Sequence, residues 1–203
     1  MKNKHLFAVL LWSFFTFFTL EKNNAQGFDY NVLKSLSKIQ SPSDISFNKF
    51  VSNAAAPIGI GTPIVMVGIG LLTKNQDLKE KGIQTGIAFA LTIGETYVIK
   101  SLVKRPRPYI TYPDLKNQTT EGSYSFPSGH TSSTFSIATS LSLNYPKWYV
   151  IAPAYLWAGA TGYSRMYLNV HYPTDVLAGA ALGSLTAWVT WKVNRKIQAK
   201  KKK

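Results

Sequence analysis

Residues 125–145 read SFPSGHTSSTFSIATSLSLNY, and this stretch gives the clearest sign of the architecture. A Pro-Ser-Gly turn at residues 127–129 is followed by the apolar segment 130–145, which contains mostly small residues. The segment shows no strict alternation of apolar and polar positions, so it predicts a helix rather than a strand. The helix is expected to begin next to His130.

Four further apolar segments flank this one, and they have the same character. They are rich in Ala, Gly, Leu, Ile and Thr, which predicts an all-α fold, a helical bundle. If each segment crosses a bilayer, the chain is a polytopic membrane protein with five or six transmembrane helices. Several segments are short for a span of about 20 residues, so a soluble helical enzyme remains the alternative. The four segments are 54–73, 82–103, 148–164 and 174–192.

The two ends of the chain suggest how it is organised. Residues 1–25 carry Lys2 and Lys4 before an apolar run, which predicts either a signal peptide cleaved after Ala25 or an uncleaved first membrane helix. An exported amphipathic or surface segment is expected next, then the helical bundle, then a basic cytoplasmic tail. These three parts are 26–53, 54–192 and 193–203.

The charge distribution favours a membrane over nucleic acid. The net charge is +14, but seven of the 23 basic residues lie between Lys192 and Lys203. If the segments cross in turn from an inside N-terminus, the inside pieces hold thirteen basic residues and the longer outside pieces nine. This bias has the sign of the positive-inside rule. A non-enzymatic membrane or nucleic-acid-binding protein acting through its basic tail is the alternative.

Composition excludes several kinds of site. The chain has no cysteine, hence no disulfide and no thiolate metal site. It has three histidines, one of them at position 5, and no cluster of metal-ligand spacing is visible. No metal and no other cofactor is therefore expected. A hydrophobic content of 45% allows a sizeable core, while the mean hydropathy of −0.03 does not separate a membrane protein from a soluble one.

Three motifs carry the candidate chemistry, in the order K-x6-RP, PSGH and SR-x5-H-x3-D. Phosphoryl transfer needs fixed positive charge and hydrogen-bond donors around three equatorial oxygens. Lysine and arginine supply that charge, and a Ser-Gly pair before a helix can direct a hydroxyl and backbone N–H groups at an anion. The motif residues are Lys100, Arg107, Pro108, Pro127, Ser128, Gly129, His130, Ser164, Arg165, His171 and Asp175.

Together these motifs resemble those of the type 2 phosphatidic acid phosphatase superfamily, which includes bacterial acid phosphatases and vanadium haloperoxidases. The resemblance covers roughly residues 50–192. It implies that His171 is a nucleophile forming a phosphohistidine and that His130 protonates the leaving oxygen and later activates water. Asp175 would orient His171. The expected phosphate-binding residues are Lys100, Arg107, Ser128, Gly129 and Arg165.

The resemblance also implies an activity and a place. The expected activity is metal-independent hydrolysis of a lipid phosphate or pyrophosphate: phosphatidic acid, phosphatidylglycerol phosphate, an isoprenyl pyrophosphate or a lipid A phosphate. The expected location is a bacterial inner membrane, with the site facing the periplasm. A soluble periplasmic acid phosphatase and a vanadium haloperoxidase are the alternatives within the superfamily.

Some of these residues also have a purely structural interpretation. Asp175 follows a Pro-Thr helix-start signal and could simply cap the last helix. Lys104, Arg105 and Lys116 are expected to form a solvated basic loop.

Other residues stand apart from the motifs. Tyr163, Tyr167 and Tyr172 are expected to be packing or interfacial aromatics. Glu95 lies within an apolar segment, where an acid is unfavourable. It is expected to pair with Lys100 or to face a polar cavity, and the sequence leaves its role open.

Overall fold

The computed structural model describes residues 22–119 and 121–201, with side chains for 27–119 and 121–200. Residues 1–21 of the predicted signal peptide or first membrane helix lie outside the described residues, as do the last two lysines of the tail. The described ranges contain helices and no strand, which confirms the all-α class. The helices are α1 Lys22–Lys38, α2 Pro42–Leu72, α3 Gln76–Val103, α4 Pro108–Thr111, α5 Gly129–Asn144, α6 Trp148–Tyr167 and α7 Pro173–Lys201.

Helix α2 begins twelve residues before the apolar segment that predicted it. The Ser41 side chain accepts the Asp44 N–H (3.2 Å), and Pro42 occupies the first turn, where its missing N–H leaves no bond unmade. Part of the predicted surface segment is therefore helical. Pro57 and Pro63 both lie inside this helix.

Helix α5 forms the centre of the bundle and packs against α3, α6 and α7. Hydroxyl side chains link it to α3: Thr96 Oγ1 lies 2.8 Å from Ser132 Oγ, and Thr92 donates to Ser136 (3.1 Å). Small side chains let the helices approach closely and let hydroxyl groups bond across the interface. The buried residues of α5 are Thr131, Ser132, Ser133, Thr134, Ser136, Ile137, Ala138, Thr139 and Ser140.

Glycines of α7 allow its closest approach to α5. A Cβ on Gly183 would lie 2.0 Å from the Ser132 carbonyl oxygen, and one on Gly179 would lie 2.7 Å from that of Ser128. Only glycine fits at these two positions without separating the helices. The contact brings the first turn of α7 against the first turn of α5.

Three stretches of the described chain are long and apolar enough to cross a membrane: 42–72, 76–111 and 173–200. These stretches expose large apolar side chains, among them Ile64, Val65, Leu72, Tyr97 and Leu102. The chain is a membrane protein. Helices α5 and α6 are not among the three, so the predicted count of five or six spans stays a prediction.

Helix α1 covers the end of the bundle where α3 ends and α5 begins. Leu33 of α1 is buried in a small cluster with Leu115 and Tyr172, and Tyr30 stacks on Tyr112. These contacts hold α1 against the loop that joins α4 to α5. That loop and α1 lie against the segments that carry the motif residues.

Candidate active site

The eight predicted site residues come from three segments of the chain that meet at one end of the bundle. Lys100 lies in the last turn of α3, and Arg107 directly precedes α4. Ser128, Gly129 and His130 form the start of α5. Arg165, His171 and Asp175 lie in the last turn of α6, the following loop and the first turn of α7. The sequence motifs thus come together because their helices share this end.

Arg107 is the most extensively bonded of the cations. Its side chain is 2% exposed, and it donates to the carbonyls of Ser123 (2.7 Å) and Val170 (2.8 Å). Its Nη1 lies 3.4 Å from His171 Nε2. Two main-chain acceptors fix the plane of the guanidinium, so its remaining N–H groups point at a defined place beside the imidazole.

Glu121 joins the two buried arginines. Its Oε1 accepts a hydrogen bond from Arg165, while Oε2 lies 3.4 Å from Arg107 Nη2. Arg165 also donates to Ser52 of α2, and its Nε, which is buried, has no hydrogen-bond partner among the described residues. Buried guanidinium groups require an anion beside them. The carboxylate of Glu121 supplies one at the position where two forks could hold a phosphate.

The start of α5 has free N–H groups for an anion, as expected, but the Ser128 hydroxyl caps the helix instead of facing that anion. The Ser128 hydroxyl accepts from Thr131 Oγ1 (2.9 Å) and caps the helix, and the Ser128 N–H donates to the Asp175 carbonyl (3.0 Å). Ser128 is fully buried by these contacts. The N–H groups of Gly129 and His130 stand in the first turn, where no intrahelical acceptor exists. They can point at an anion.

Lys100 is the third cation of the predicted phosphate-binding residues. Its Nζ donates to the carbonyls of Tyr124 (2.5 Å) and Ser125 (3.2 Å), so it ties α3 to the loop before α5. A Cβ on Gly129 would lie 4.0 Å from Lys100 Cε. This is ordinary contact distance, so the approach of Lys100 does not require a glycine here.

His171 lies between an acid and a cation. Its Nδ1 is 3.4 Å from Asp175 Oδ2, which also accepts the Tyr172 N–H (3.0 Å). Its Nε2 faces Arg107 on the other side. Asp175 therefore contacts both the histidine and a helix-start N–H, so the catalytic and capping interpretations do not exclude each other. The opposed contacts favour the tautomer with the proton on Nδ1 and the lone pair on Nε2.

Burial and the nearby cations set the protonation of both histidines. Burial lowers the pKa of His171 well below its usual value, and Arg165 and Arg107 lower it further. Burial and the same arginines lower the pKa of His130 to about 4. Burial alone would raise the pKa of the Glu121 carboxyl, but Arg165 and Arg107 outweigh it and bring the pKa below its usual value. At neutral pH these surroundings favour two neutral imidazoles and one carboxylate.

Three residues in this region were not predicted from the sequence. Arg105, expected in a solvated loop, is bonded to two buried carboxylates, those of Asp29 and Asp175. Glu121 belongs to no motif, but a site with three cations and one acid needed a second anion, and that imbalance was the available signal. Nothing in the sequence around Asp29 pointed to the site.

The remaining expectations concern residues outside the pocket. Glu95 accepts a hydrogen bond from the Thr186 hydroxyl of α7 (2.5 Å). It does not pair with Lys100, whose Nζ donates to the Tyr124 carbonyl instead. Tyr167 and Tyr172 are buried, as packing residues would be. Within the described ranges no group of three or more His, Cys, Asp or Glu residues could hold a metal ion.

The chain is similar to a known family of proteins. The model of the PAP2 superfamily matches residues 82–199. The lipid A 1-phosphatase of Porphyromonas gingivalis is 29% identical over 77% of this chain and 33% of that protein. The undecaprenyl-diphosphatase of Sulfolobus acidocaldarius is 35% identical over 54% of this chain and 52% of that protein. The chain thus spans about half or less of the length of these curated relatives.

A solved structure matches over nearly the whole length of both chains. It is the transmembrane PAP2-type phosphatidylglycerolphosphate phosphatase of Bacillus subtilis, with a TM-score of 0.75 and 28% identity. The match covers 93% of this chain and 96% of that one. It extends the likeness beyond the motif segment to α1 and α2.

Proposed function

Because the chain belongs to the PAP2 superfamily, we propose that it is a membrane phosphatase that removes phosphate from a lipid phosphate or pyrophosphate. The observation that carries this proposal is His171, held between Asp175 Oδ2 and Arg107 Nη1 at 3.4 Å each. The superfamily model and the names of the relatives support the reaction class. The exposed apolar flanks of the three long helices support a membrane-bound substrate over the small soluble esters of an acid phosphatase.

The first half-reaction transfers the phosphoryl group to the protein. His171 Nε2 donates its lone pair to phosphorus, the P–O bond to the leaving lipid breaks, and the departing oxygen takes a proton from His130. The Nδ1 proton stays directed at Asp175, which stabilises the resulting cation. The product is a phosphohistidine at His171 and a free lipid alcohol or monophosphate.

The second half-reaction releases the phosphate. His130, now neutral, removes a proton from water as the water oxygen attacks phosphorus and the P–N bond to His171 breaks. Inorganic phosphate leaves, and His130 is again protonated for the next turnover. Apart from the water, the protein's own side chains supply the nucleophile, the acid and the base of these two steps.

The phosphate itself prepares His130 for the acid role. Burial, Arg165 and Arg107 hold the pKa of His130 at about 4. A bound phosphate dianion neutralises these arginines and attracts the imidazole proton, which raises that pKa. Substrate binding and protonation of the general acid are thereby coupled.

Four residues are proposed to contact the transferring group: Lys100, Arg107, Gly129 and Arg165. The two arginines both contact Glu121 and can bind a phosphate as forks in its place, and the N–H of Gly129 lies in the first turn of α5, where it can donate to the same anion. Ser128 contributes as the cap that positions the helix start. The Glu121 carboxylate must leave the arginines when phosphate enters, because the two anions need the same N–H groups.

We place the site on the periplasmic side of a bacterial inner membrane. The basic residues of α7 after Trp191, together with Lys79 and Lys81 of α3, lie at helix ends opposite the site. Positive charge is concentrated on the cytoplasmic side of membrane proteins. The opposite end, which bears the site, would then face outward.

The proposal is tested by phosphate release from purified protein in detergent with EDTA present. The substrates are phosphatidic acid, an isoprenyl pyrophosphate and a water-soluble phosphomonoester, with the His171→Ala variant as control. Turnover of the lipids that is lost in the variant supports the proposal. Turnover of the soluble ester alone favours an acid phosphatase, and turnover of none of the three contradicts a phosphatase role.

A further inference from the structure

Arg105 bridges two carboxylates that are both fully buried. Its Nη2 lies 2.7 Å from Asp29 Oδ2, and its Nη1 lies 2.6 Å from Asp175 Oδ1. The same Nη1 donates to the Thr174 hydroxyl (2.8 Å). The partners are distant in sequence, since Asp29 precedes Arg105 by 76 residues and Asp175 follows it by 70. The bridge therefore joins α1, the α3–α4 junction and α7.

The guanidinium is fixed as well as bonded. Its central carbon lies 3.7 Å from the centre of the Tyr172 ring, close enough for a cation–π contact. The contacts with Asp29, Asp175 and the Tyr172 ring together fix the orientation of the Arg105 guanidinium. A planar fork held in this way can transmit orientation to whatever it binds.

The bridge determines how Asp175 meets His171. Arg105 takes Oδ1 of the carboxylate, while Oδ2 accepts the Tyr172 N–H and lies 3.4 Å from His171 Nδ1. With one oxygen held by Arg105 and the other by a main-chain N–H, the carboxylate cannot rotate. Its Oδ2 lone pair is therefore kept directed at the imidazole.

We propose that Arg105 is a positioning residue for the phosphatase reaction: it orients Asp175, and through Asp175 the imidazole of His171. Asp29 of α1 holds Arg105 in that orientation and balances its charge. This inference rests on the proposed function, since it assigns Arg105 a part in the reaction of His171.

The role of Asp29 makes α1 part of the site. Besides Arg105, its carboxylate accepts the Thr174 N–H (3.1 Å) and the Thr174 hydroxyl (2.6 Å). These contacts go to the segment that carries Asp175 and to the residue that orients Asp175. Asp29 lies outside residues 82–199, so the residues matched by the superfamily model do not contain the whole positioning system.

The first experiment compares Arg105→Ala and Arg105→Lys with wild type, in detergent, on the lipid that wild type turns over. Lys104→Ala is the matched control, because Lys104 is the adjacent cation and is exposed. For Arg105→Ala we expect kcat to fall about 10- to 100-fold, as when a residue that orients a reacting group is removed. The KM and the inhibition constant of inorganic phosphate should stay unchanged, because Arg105 does not bind the phosphate.

The lysine variant separates orientation from charge. A lysine restores the positive charge between the two carboxylates but lacks the planar fork. We expect its kcat to lie between those of wild type and Arg105→Ala. Lys104→Ala should have the kcat of wild type.

The second experiment tests the link to α1 with Asp29→Asn. Asp114→Asn is its control, because Asp114 also contacts α1, through Lys34 and Tyr30, but lies away from Arg105. Asp29→Asn should lower kcat, whereas Asp114→Asn should not. In the Arg105→Ala background Asp29→Asn should add little, since residues that act through one another are not additive.

Two results would overturn the inference. One is a wild-type kcat in Arg105→Ala; the other is a parallel change in KM and phosphate inhibition, which would mean that Arg105 supports the whole pocket. If Arg105→Ala fails to fold, Arg105→Lys and Asp29→Asn decide, because both change the side-chain volume little. If wild type itself releases no phosphate, the proposed function fails instead.

Discussion

Asp175 is the residue at which two interpretations of the sequence meet. Its carboxylate accepts from Arg105 through Oδ1 and from the Tyr172 N–H through Oδ2, and the same Oδ2 faces His171. An acid that only capped α7 would not need the histidine beside it. The geometry gives it both contacts, and the effect of removing its charge separates them.

We expect Asp175→Asn to fold and to lower kcat by about four orders of magnitude, the loss seen when a triad acid is neutralised. Asp175 presents one acceptor oxygen to Arg105 and the other to His171 Nδ1, whereas asparagine has only one oxygen and an N–H₂ group. The proton on His171 Nδ1 is then no longer favoured by an acceptor. The measurement is lipid phosphate release, with the melting temperature in detergent as the check on folding. A folded variant with the wild-type rate would show that Asp175 is only a helix cap.

Glu121 occupies the space between Arg107 and Arg165 and carries the charge that phosphate would bring. We expect Glu121→Gln to tighten inhibition by inorganic phosphate by about tenfold. The Glu121 carboxylate competes with phosphate for the N–H groups of the two arginines, and losing one hydrogen bond to a charged group is an effect of about this size. Glu80→Gln is the control, since Glu80 is exposed near the start of α3, far from the site. Unchanged or weaker phosphate inhibition in Glu121→Gln would mean that this carboxylate stays in place when phosphate binds.

The sequence predicted the motif residues of the site but not their counter-ions. The motifs could be recognised because each has a fixed spacing within a short stretch of the chain. Asp29, Arg105 and Glu121 act across the fold: Asp29 and Arg105, for example, are 76 residues apart. Such pairs follow from tertiary packing, and no local pattern reports them.

At the scale of elements, the contact between α5 and α7 sets the position of the site. It places the start of α5, with Ser128, against the first turn of α7, with Asp175. Gly183 allows this contact further along, where a Cβ would meet main-chain atoms of Ser132 and Ser136 at 2.0 to 2.9 Å. A side chain here cannot be accommodated by rotating a neighbour.

We expect Gly183→Ala to destabilise the protein by about 1–3 kcal/mol, the usual effect of overpacking a close contact. Gly159→Ala is the matched control, because Gly159 is an exposed helix residue and a Cβ there would have no atom within 4 Å. At that position the alanine should stabilise slightly through helix propensity. Melting temperatures in one detergent compare the two, and equal shifts would contradict the packing explanation.

Element positions were predicted better than element ends. Each of the five apolar segments lies within or largely overlaps one helix, since burial and membrane contact both demand apolar residues. The ends differ because polar residues also enter helices: α2 begins at Pro42 and buries Asn48 and Ser52. A hydropathy pattern does not reveal a helical turn whose polar side chains are hydrogen-bonded inside the bundle.

For the whole molecule, the proposed orientation predicts which end a reagent outside the cell can reach. The chain has no cysteine, so single cysteines can be introduced without background. Lys116→Cys lies in the loop at the site end, and Lys200→Cys lies near the end of α7; both positions are exposed. About 25 residues of α7 separate Asp175 from Lys200, or roughly 38 Å of helix at 1.5 Å per residue.

In intact cells a membrane-impermeant maleimide should label Lys116→Cys at once and Lys200→Cys only after lysis. The reason is the basic end of α7, which favours the cytoplasmic side. Labelling of Lys200→Cys alone in intact cells would reverse the orientation. Labelling of both would contradict a membrane-spanning arrangement.

A search for the phosphoenzyme tests the role of His171 directly. Purified protein is mixed with the lipid that the wild type turns over, labelled in its phosphate, quenched in alkali within milliseconds and examined for label bound to protein, with His171→Ala in parallel. We expect alkali-stable, acid-labile label on the wild type, as a phosphohistidine gives, and none on the variant. Label of equal amount on His171→Ala, or lipid turnover by that variant at the wild-type rate, would contradict the assignment of His171 as the nucleophile.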